Sequence, residues 1–128
     1  MIYDLIIIGG GPAGVSAGVY AARKRLKTLL IAPEFGGQSI VSEGIENWIG
    51  TIKISGPELA ENFKKHLAAY AGDCVTIKDG QTVSDIKKSD NGFIITTESE
   101  NYETKTVLIA TGSTRRKLEI PGAKEFDN

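Results

Sequence analysis

Six consecutive residues near the start of the chain, Gly9-Gly10-Gly11-Pro12-Ala13-Gly14, spell G-x-G-x-x-G between an apolar run and a segment with helical character. Gly9 permits a tight turn, Gly11 lets main chain approach a pyrophosphate, and Gly14 allows the next helix to pack closely. The N-terminus of that helix offers unpaired N–H groups and partial positive charge to an anion. Pro12 and Ala13 suit its first turn, because a proline there loses only an N–H that would have had no helical partner. The pattern points to dinucleotide binding, with a merely structural glycine turn as the alternative. An acid that would hold a ribose hydroxyl is expected near the end of the second strand, yet Ala32 stands there. Glu34, two residues on, either reaches the ribose from the loop or is a solvated loop carboxylate.

Other reactive side chains carry less. Cys74 is the single cysteine, so these residues hold no intrachain disulfide, no Cys-rich metal site and no Cys-x-x-Cys redox pair. Its apolar neighbours mark it as a buried, inert thiol. His66 lacks a second ligand nearby and receives no role. Trp48 reads as a core or interface aromatic rather than a stacking residue. Ala71-Gly72-Asp73 reads as a helix end and turn. The basic clusters around Arg23 to Lys27 and Arg115 to Lys117 read as solvated faces. With 15 Lys plus Arg against 16 Asp plus Glu, the net charge is −1, so no strong field favours nucleic acid or anionic membrane. The longest apolar run, residues 5–8, is far shorter than the ~20 residues of a membrane span. A soluble, cytoplasmic protein is expected.

The elements that must position the glycine motif follow from periodicity. Residues 2–8 read as a strand buried on both faces in mid-sheet, 13–24 as a helix with small residues pressed on a sheet, and 26–31 as a second buried strand, together one βαβ unit. Residues 35–54 lack a period and read as a long functional loop. Ser55 followed by Glu58 forms a capping-box pattern, and Leu59, Phe63, Leu67 and Tyr70 recur at helical spacing up to Gly72. Residues 74–77 read as a third strand. Residues 82–87, 93–98 and 102–110 are separated by Asp79-Gly80 and Asp90-Asn91-Gly92 turns and fit antiparallel hairpins. The continuous apolar stretch 107–110 is expected to leave that meander and re-enter a buried parallel sheet. The fold class is α/β, a Rossmann-like parallel sheet plus a small antiparallel β-meander.

Several longer motifs then resemble one family. Residues 3–14, Phe35-Gly36-Gly37-Gln38, Ile45-Glu46-Asn47-Trp48-Ile49-Gly50, Leu108-Ile109-Ala110-Thr111-Gly112 and Ile120-Pro121-Gly122 are similar, in order and spacing, to low-molecular-weight thioredoxin reductase and the flavoprotein component of alkyl hydroperoxide reductase. The resemblance spans the chain, and the absence of an acid at Ala32 agrees with it. It implies that residues 1–128 are the N-terminal segment of an FAD-binding domain, with the NADPH domain and the C-terminal FAD segment lying elsewhere. By that analogy Gly11 to Gly14 hold the FAD pyrophosphate, while Glu34 and the loop through Gly36, Gly37 and Gln38 contact the adenosine side and diphosphate. Asn47 lies near the isoalloxazine, Thr76 or Ile77 offers backbone to adenine, and Ala110, Thr111 and Gly112 pass along the cofactor. Gln38 and Asn47 can each donate and accept hydrogen bonds, toward a flavin or toward their own backbone.

The resemblance further implies an NADPH-dependent, flavin-mediated reduction of a Cys-x-x-Cys disulfide, a thioredoxin-like or peroxiredoxin-type protein partner, and a homodimeric parent enzyme. The 128 residues alone are expected to be inactive. A dithiol-less ferredoxin–NADP reductase of the same fold would keep every motif seen here, and a stand-alone nucleotide-binding module is a third reading. A plain NAD dehydrogenase is disfavoured by Ala32 and by the hairpin meander.

Overall fold

In the computed structural model, which describes residues 1–125, the apolar run at the start of the chain forms β1 (Ile2–Gly10). The last three residues of the expected 1–128 segment lie outside the described residues. Ile6 and Ile7 are fully buried, each worth ~1.5–3 kcal/mol of burial. Helix α1 (Pro12–Arg23) starts on Pro12 and turns Gly14, Val15, Gly18, Val19, Ala21 and Ala22 inward. It then returns the chain to β2 (Thr28–Phe35), parallel to β1 from Leu5 opposite Thr28 to Ile8 opposite Ile31.

β2 begins later and ends later than the sequence suggests. The Leu26 amide donates to the Ala21 carbonyl at 3.1 Å and so closes α1, with Arg25 at φ 56° completing the reversal. Beyond Ile31 the register shifts, so that Gly10 pairs with Phe35, and this irregularity accommodates exposed Pro33 inside the strand.

The long loop contains one 3₁₀ turn, Gly37–Val41, and a short bridge between Ile45 and Ile54. Helix α2 (Gly56–Ala71) follows. Its Glu58 amide donates to the Ser55 hydroxyl at 3.3 Å, the expected cap, and Leu59, Phe63 and Leu67 are buried. Tyr70 departs from the expected stripe: it is 47% exposed, with the Arg23 guanidinium 5.8 Å from its ring centre. Gly72, at φ 49°, ends the helix. β3 (Val75–Asp79) then lies parallel to β2.

The meander is β4 (Val83–Ser89), β5 (Gly92–Thr97) and β6 (Asn101–Ile109). The sheet order is β3-β2-β1-β6-β5-β4, so β6 does join the parallel sheet beside β1. Ile7, Leu30 and Leu67 anchor the core under the helices; Ile6, Leu29, Ile31, Ile95 and Tyr102 fill the opposite face. The expected burial at 107–110 is not met throughout, since Leu108 is 39% and Ile109 67% exposed. The β5 ladder ends at Thr104, and the last residues of β6 have β1 on one side and no described strand on the other. Among the described residues no helix is long and apolar enough to cross a membrane.

Candidate functional site

The C-terminal ends of β1, β2 and β6, the start of α1 and the turn after β3 enclose a cavity of about 550 Å³. Gly9, Gly11, Pro12 and Ala13 all line it. Gly9 sits at φ 125°, and a Cβ there would collide with the Ala110 carbonyl; a Cβ on Gly14 would collide with the Gly9 carbonyl. The glycine turn is thus wedged between the end of β6 and the first turn of α1, and Ala110 is tied to β1 by its N–H bond to the Ile8 carbonyl at 2.8 Å. Gly14 does not line the cavity; it permits the packing that holds the turn in place. Gly11 is the N-cap, no side chain caps the helix, and its first turn carries no acid. Its leading amides therefore face the cavity as donors for an anion.

The opposite wall comes from Pro33, Glu34, Gly37, Gln38 and Ser39. Gly37, at φ 56°, faces Gly11, and a Cβ on it would stand 3.3 Å from the Gly11 Cα, narrowing the space between the two turns. Gly36, at φ 98°, is buried against Ala60 and does not line the cavity. Its N–H donates to the Gly10 carbonyl at 2.9 Å, so it shapes the wall from behind. Ala32 is fully buried, and a Cβ on Gly10 would approach its methyl to 2.8 Å. Ala32 thus packs beneath the turn, while Glu34 is exposed on the cavity wall. Ala110, Thr111 and Gly112 also line the cavity, with Ser113 and Thr114 beside them.

Asn47, Thr76 and Ile77 do not line the cavity. Thr76 and Ile77 pair with Leu29 and Leu30 in the body of the sheet, too early along the strand to reach its end. Gln81, Thr82 and Val83 occupy the wall that these two were expected to supply. The Gly80 and Gln81 amides both donate to the Ala32 carbonyl, at 2.8 and 3.3 Å, folding the chain over the end of β2. The Asp79-Gly80 turn signal is the cue for that placement. Trp48 packs edge-on against Phe63, centroids 5.2 Å apart, as a packing aromatic would.

Among the described residues Glu34 is the single charged side chain on the cavity wall. At the end of β3, the Lys64 ammonium lies 2.7 Å from Asp79 and 5.6 Å from the Phe35 ring centre. Its hydrogen bond to Asp79 holds the Lys64 pKa above the usual lysine range. Cys74 is half-buried, and desolvation followed by its hydrogen bond to Asp73 pushes its thiol up, the reverse of a reactive thiolate. Among the described residues no cluster of three or more His, Cys, Asp or Glu could hold a metal. Donor amides at a helix start, two turns that admit no Cβ, and a long cavity without a cation fit an extended dinucleotide held by main chain.

Comparison with known proteins identifies the family of the chain. Residues 3–128 match the pyridine nucleotide-disulphide oxidoreductase family model. The chain is 42% identical over 127 residues to an alkyl hydroperoxide reductase component of Staphylococcus epidermidis, covering 98% of this chain and 24% of that protein. Its fold is similar to thioredoxin reductase of Lactococcus lactis, with a TM-score of 0.87, 40% identity, and coverage of 97% of this chain and 40% of that one. Thioredoxin reductase of T. acidophilum gives 0.85 at 37% identity, covering 97% of this chain and 40% of its own. The chain spans about a quarter of the curated relatives it matches and two fifths of the solved ones. With the glycine turn, the cavity and the six-stranded sheet all falling within the matched span, the chain belongs to the pyridine nucleotide-disulphide oxidoreductase family.

Proposed function

We propose that these residues are the N-terminal part of an FAD-binding domain in an NAD(P)H-dependent flavoprotein disulfide reductase resembling thioredoxin reductase. The observation that carries the reading is the cavity whose floor is the uncapped start of α1 and the Cβ-intolerant turn at Gly9. When bound, FAD would supply two-electron chemistry, accepting hydride from NADPH and passing both electrons to a disulfide. The Ala13 amide at the start of α1 would hold the diphosphate, with Gly11 and Gly37 leaving room for it and Gly14 keeping the turn in place. Glu34 would accept a hydrogen bond from the adenosine ribose, and the turn through Gln81, Thr82 and Val83 would flank the base. Gln38 and the strand end at Ala110, Thr111 and Gly112 would run along the remainder of the cofactor.

Cys74 is the single cysteine, so a redox dithiol is not supplied by these residues, and the isolated chain should lack turnover. A thioredoxin-like or peroxiredoxin-type partner, a homodimer and a cytoplasmic setting follow from the same reading. The names of the relatives, a thioredoxin reductase and an alkyl hydroperoxide reductase component, support it. The test is direct titration of the chain with FAD, followed by flavin fluorescence, together with an NADPH-dependent disulfide-reduction assay. Saturable FAD binding without turnover is expected. Absence of FAD binding overturns the cofactor assignment, and turnover by these residues alone overturns the assignment as one part of a larger catalytic unit.

A further inference from the structure

Gln81 is held at both its backbone and its side chain. Its N–H donates to the Ala32 carbonyl at 3.3 Å, and its Oε1 accepts from the Tyr102 hydroxyl at 3.2 Å. Tyr102 is 8% exposed and belongs to the core on the face away from the helices. Its ring meets Tyr3 edge-on, with centroids 6.4 Å apart, so the hydroxyl is presented from a fixed platform. Burial, then the nearby Glu100 charge, pushes its pKa up, which keeps it a neutral O–H donor. An amide whose oxygen is engaged in this way has two N–H donors left. Among the described residues the Gln81 amide nitrogen has no partner, while Gln81 itself lines the cavity. It does so on the side formed by the ends of β2 and β3, where a dinucleotide bound at a glycine turn places its nucleoside half.

We infer that Gln81 reads the adenosine half of the ligand by donating an amide N–H to a base or ribose acceptor, and that Tyr102 is the positioning residue that anchors the Gln81 side chain at the cavity wall. This inference rests on the proposed dinucleotide site. Without the Tyr102 hydroxyl the Gln81 side chain loses the anchor that holds it at the wall and samples rotamers that turn the amide away from the ligand.

The experiment measures FAD and ADP affinity in the full-length protein stripped of flavin, for wild type, Tyr102→Phe, Gln81→Ala and the double variant, with the thermal midpoint of each apoprotein alongside. A hydrogen bond of ordinary strength predicts about three- to tenfold weaker binding of both ligands in each single variant. The double variant should be no weaker than Gln81→Ala alone, because Tyr102 acts through Gln81. Gln81→Glu, which replaces the donor with a carboxylate, should bind no better than Gln81→Ala. Unchanged affinity in Gln81→Ala, or additive losses in the double variant, overturns the inference. A wild-type protein that binds neither FAD nor ADP overturns the dinucleotide site itself, a distinct failure.

Discussion

β1 has a parallel neighbour on each side, and the two neighbours differ sharply. On one flank β2 is enclosed: Leu29 and Leu30 are fully buried and Ile31 nearly so, with β3 beyond them and α1 and α2 above. On the other flank the upper half of β6 carries the same kind of side chains, Val107, Leu108 and Ile109, in register with Ile6, Ile7 and Ile8. There Leu108 is partly and Ile109 largely in the open. Side-chain type and strand register are shared; the covering layer is not. An apolar run fixes that a residue can be buried, while neighbouring elements decide whether it is.

The contrast can be broken by mutation. Leu30→Ala should destabilise by ~2–5 kcal/mol, since it empties a closed site, whereas Ile109→Ser should stay within about 0.5 kcal/mol; urea unfolding measures both, and equal losses would sink the comparison. Gly9→Ala lies at the junction of the two flanks. A positive φ combined with a collision at the Ala110 carbonyl should cost ~1–3 kcal/mol and remove ligand binding, which titration with FAD reads separately from the thermal midpoint.

Amide exchange sharpens the comparison without mutation. The Ala110 N–H points at Ile8, so strand alternation sends the Leu108 N–H toward β1 and the Val107 and Ile109 N–H groups outward. Exchange by NMR should be slow at Leu29, Leu30 and Leu108 and fast at Val107 and Ile109. The smallest effect concerns Asp4, which accepts from the Lys105 ammonium on the β6 flank at 2.9 Å and from the Lys27 N–H on the β2 flank at 3.0 Å. Those bonds hold its pKa below the ordinary aspartate value, the Lys105 hydrogen bond first. A carboxyl with a lowered folded pKa stabilises fully above its unfolded value and loses that contribution as pH falls through the folded one. Asp4→Asn should therefore lower stability slightly at neutral pH and leave the acid end of the profile unchanged, flattening the acid limb; urea unfolding at a series of pH values reads it.

Much of the site is legible in the sequence because its parts are local. The glycine turn, the helix start and the strand before them are contiguous, and their chemistry follows from spacing. Ser55 with Glu58 announces α2 for the same reason. The departures fall where distant segments meet. The family resemblance puts the backbone of Thr76 or Ile77 against adenine, but both pair inside the sheet, and the chain reaches the cavity at Gln81. Sequence ends the second strand at residue 31, and the register shift opposite Gly10 lets β2 continue through Pro33 to Phe35. Tyr70 matches the helical period yet turns outward, because the buried stripe Leu59, Phe63, Leu67 continues four residues on at Ala71. Asn47 belongs to a loop whose course no periodic signal constrains.

The near absence of ionised groups around the cavity has a broader meaning. Under the proposed reading, the positive polarity offered to a phosphate comes chiefly from peptide units at the start of α1, since no lysine or arginine among the described residues lines the cavity. A site of this sort depends on backbone shape, and one added methyl at Gly9 or Gly14 would drive the turn against a main-chain carbonyl.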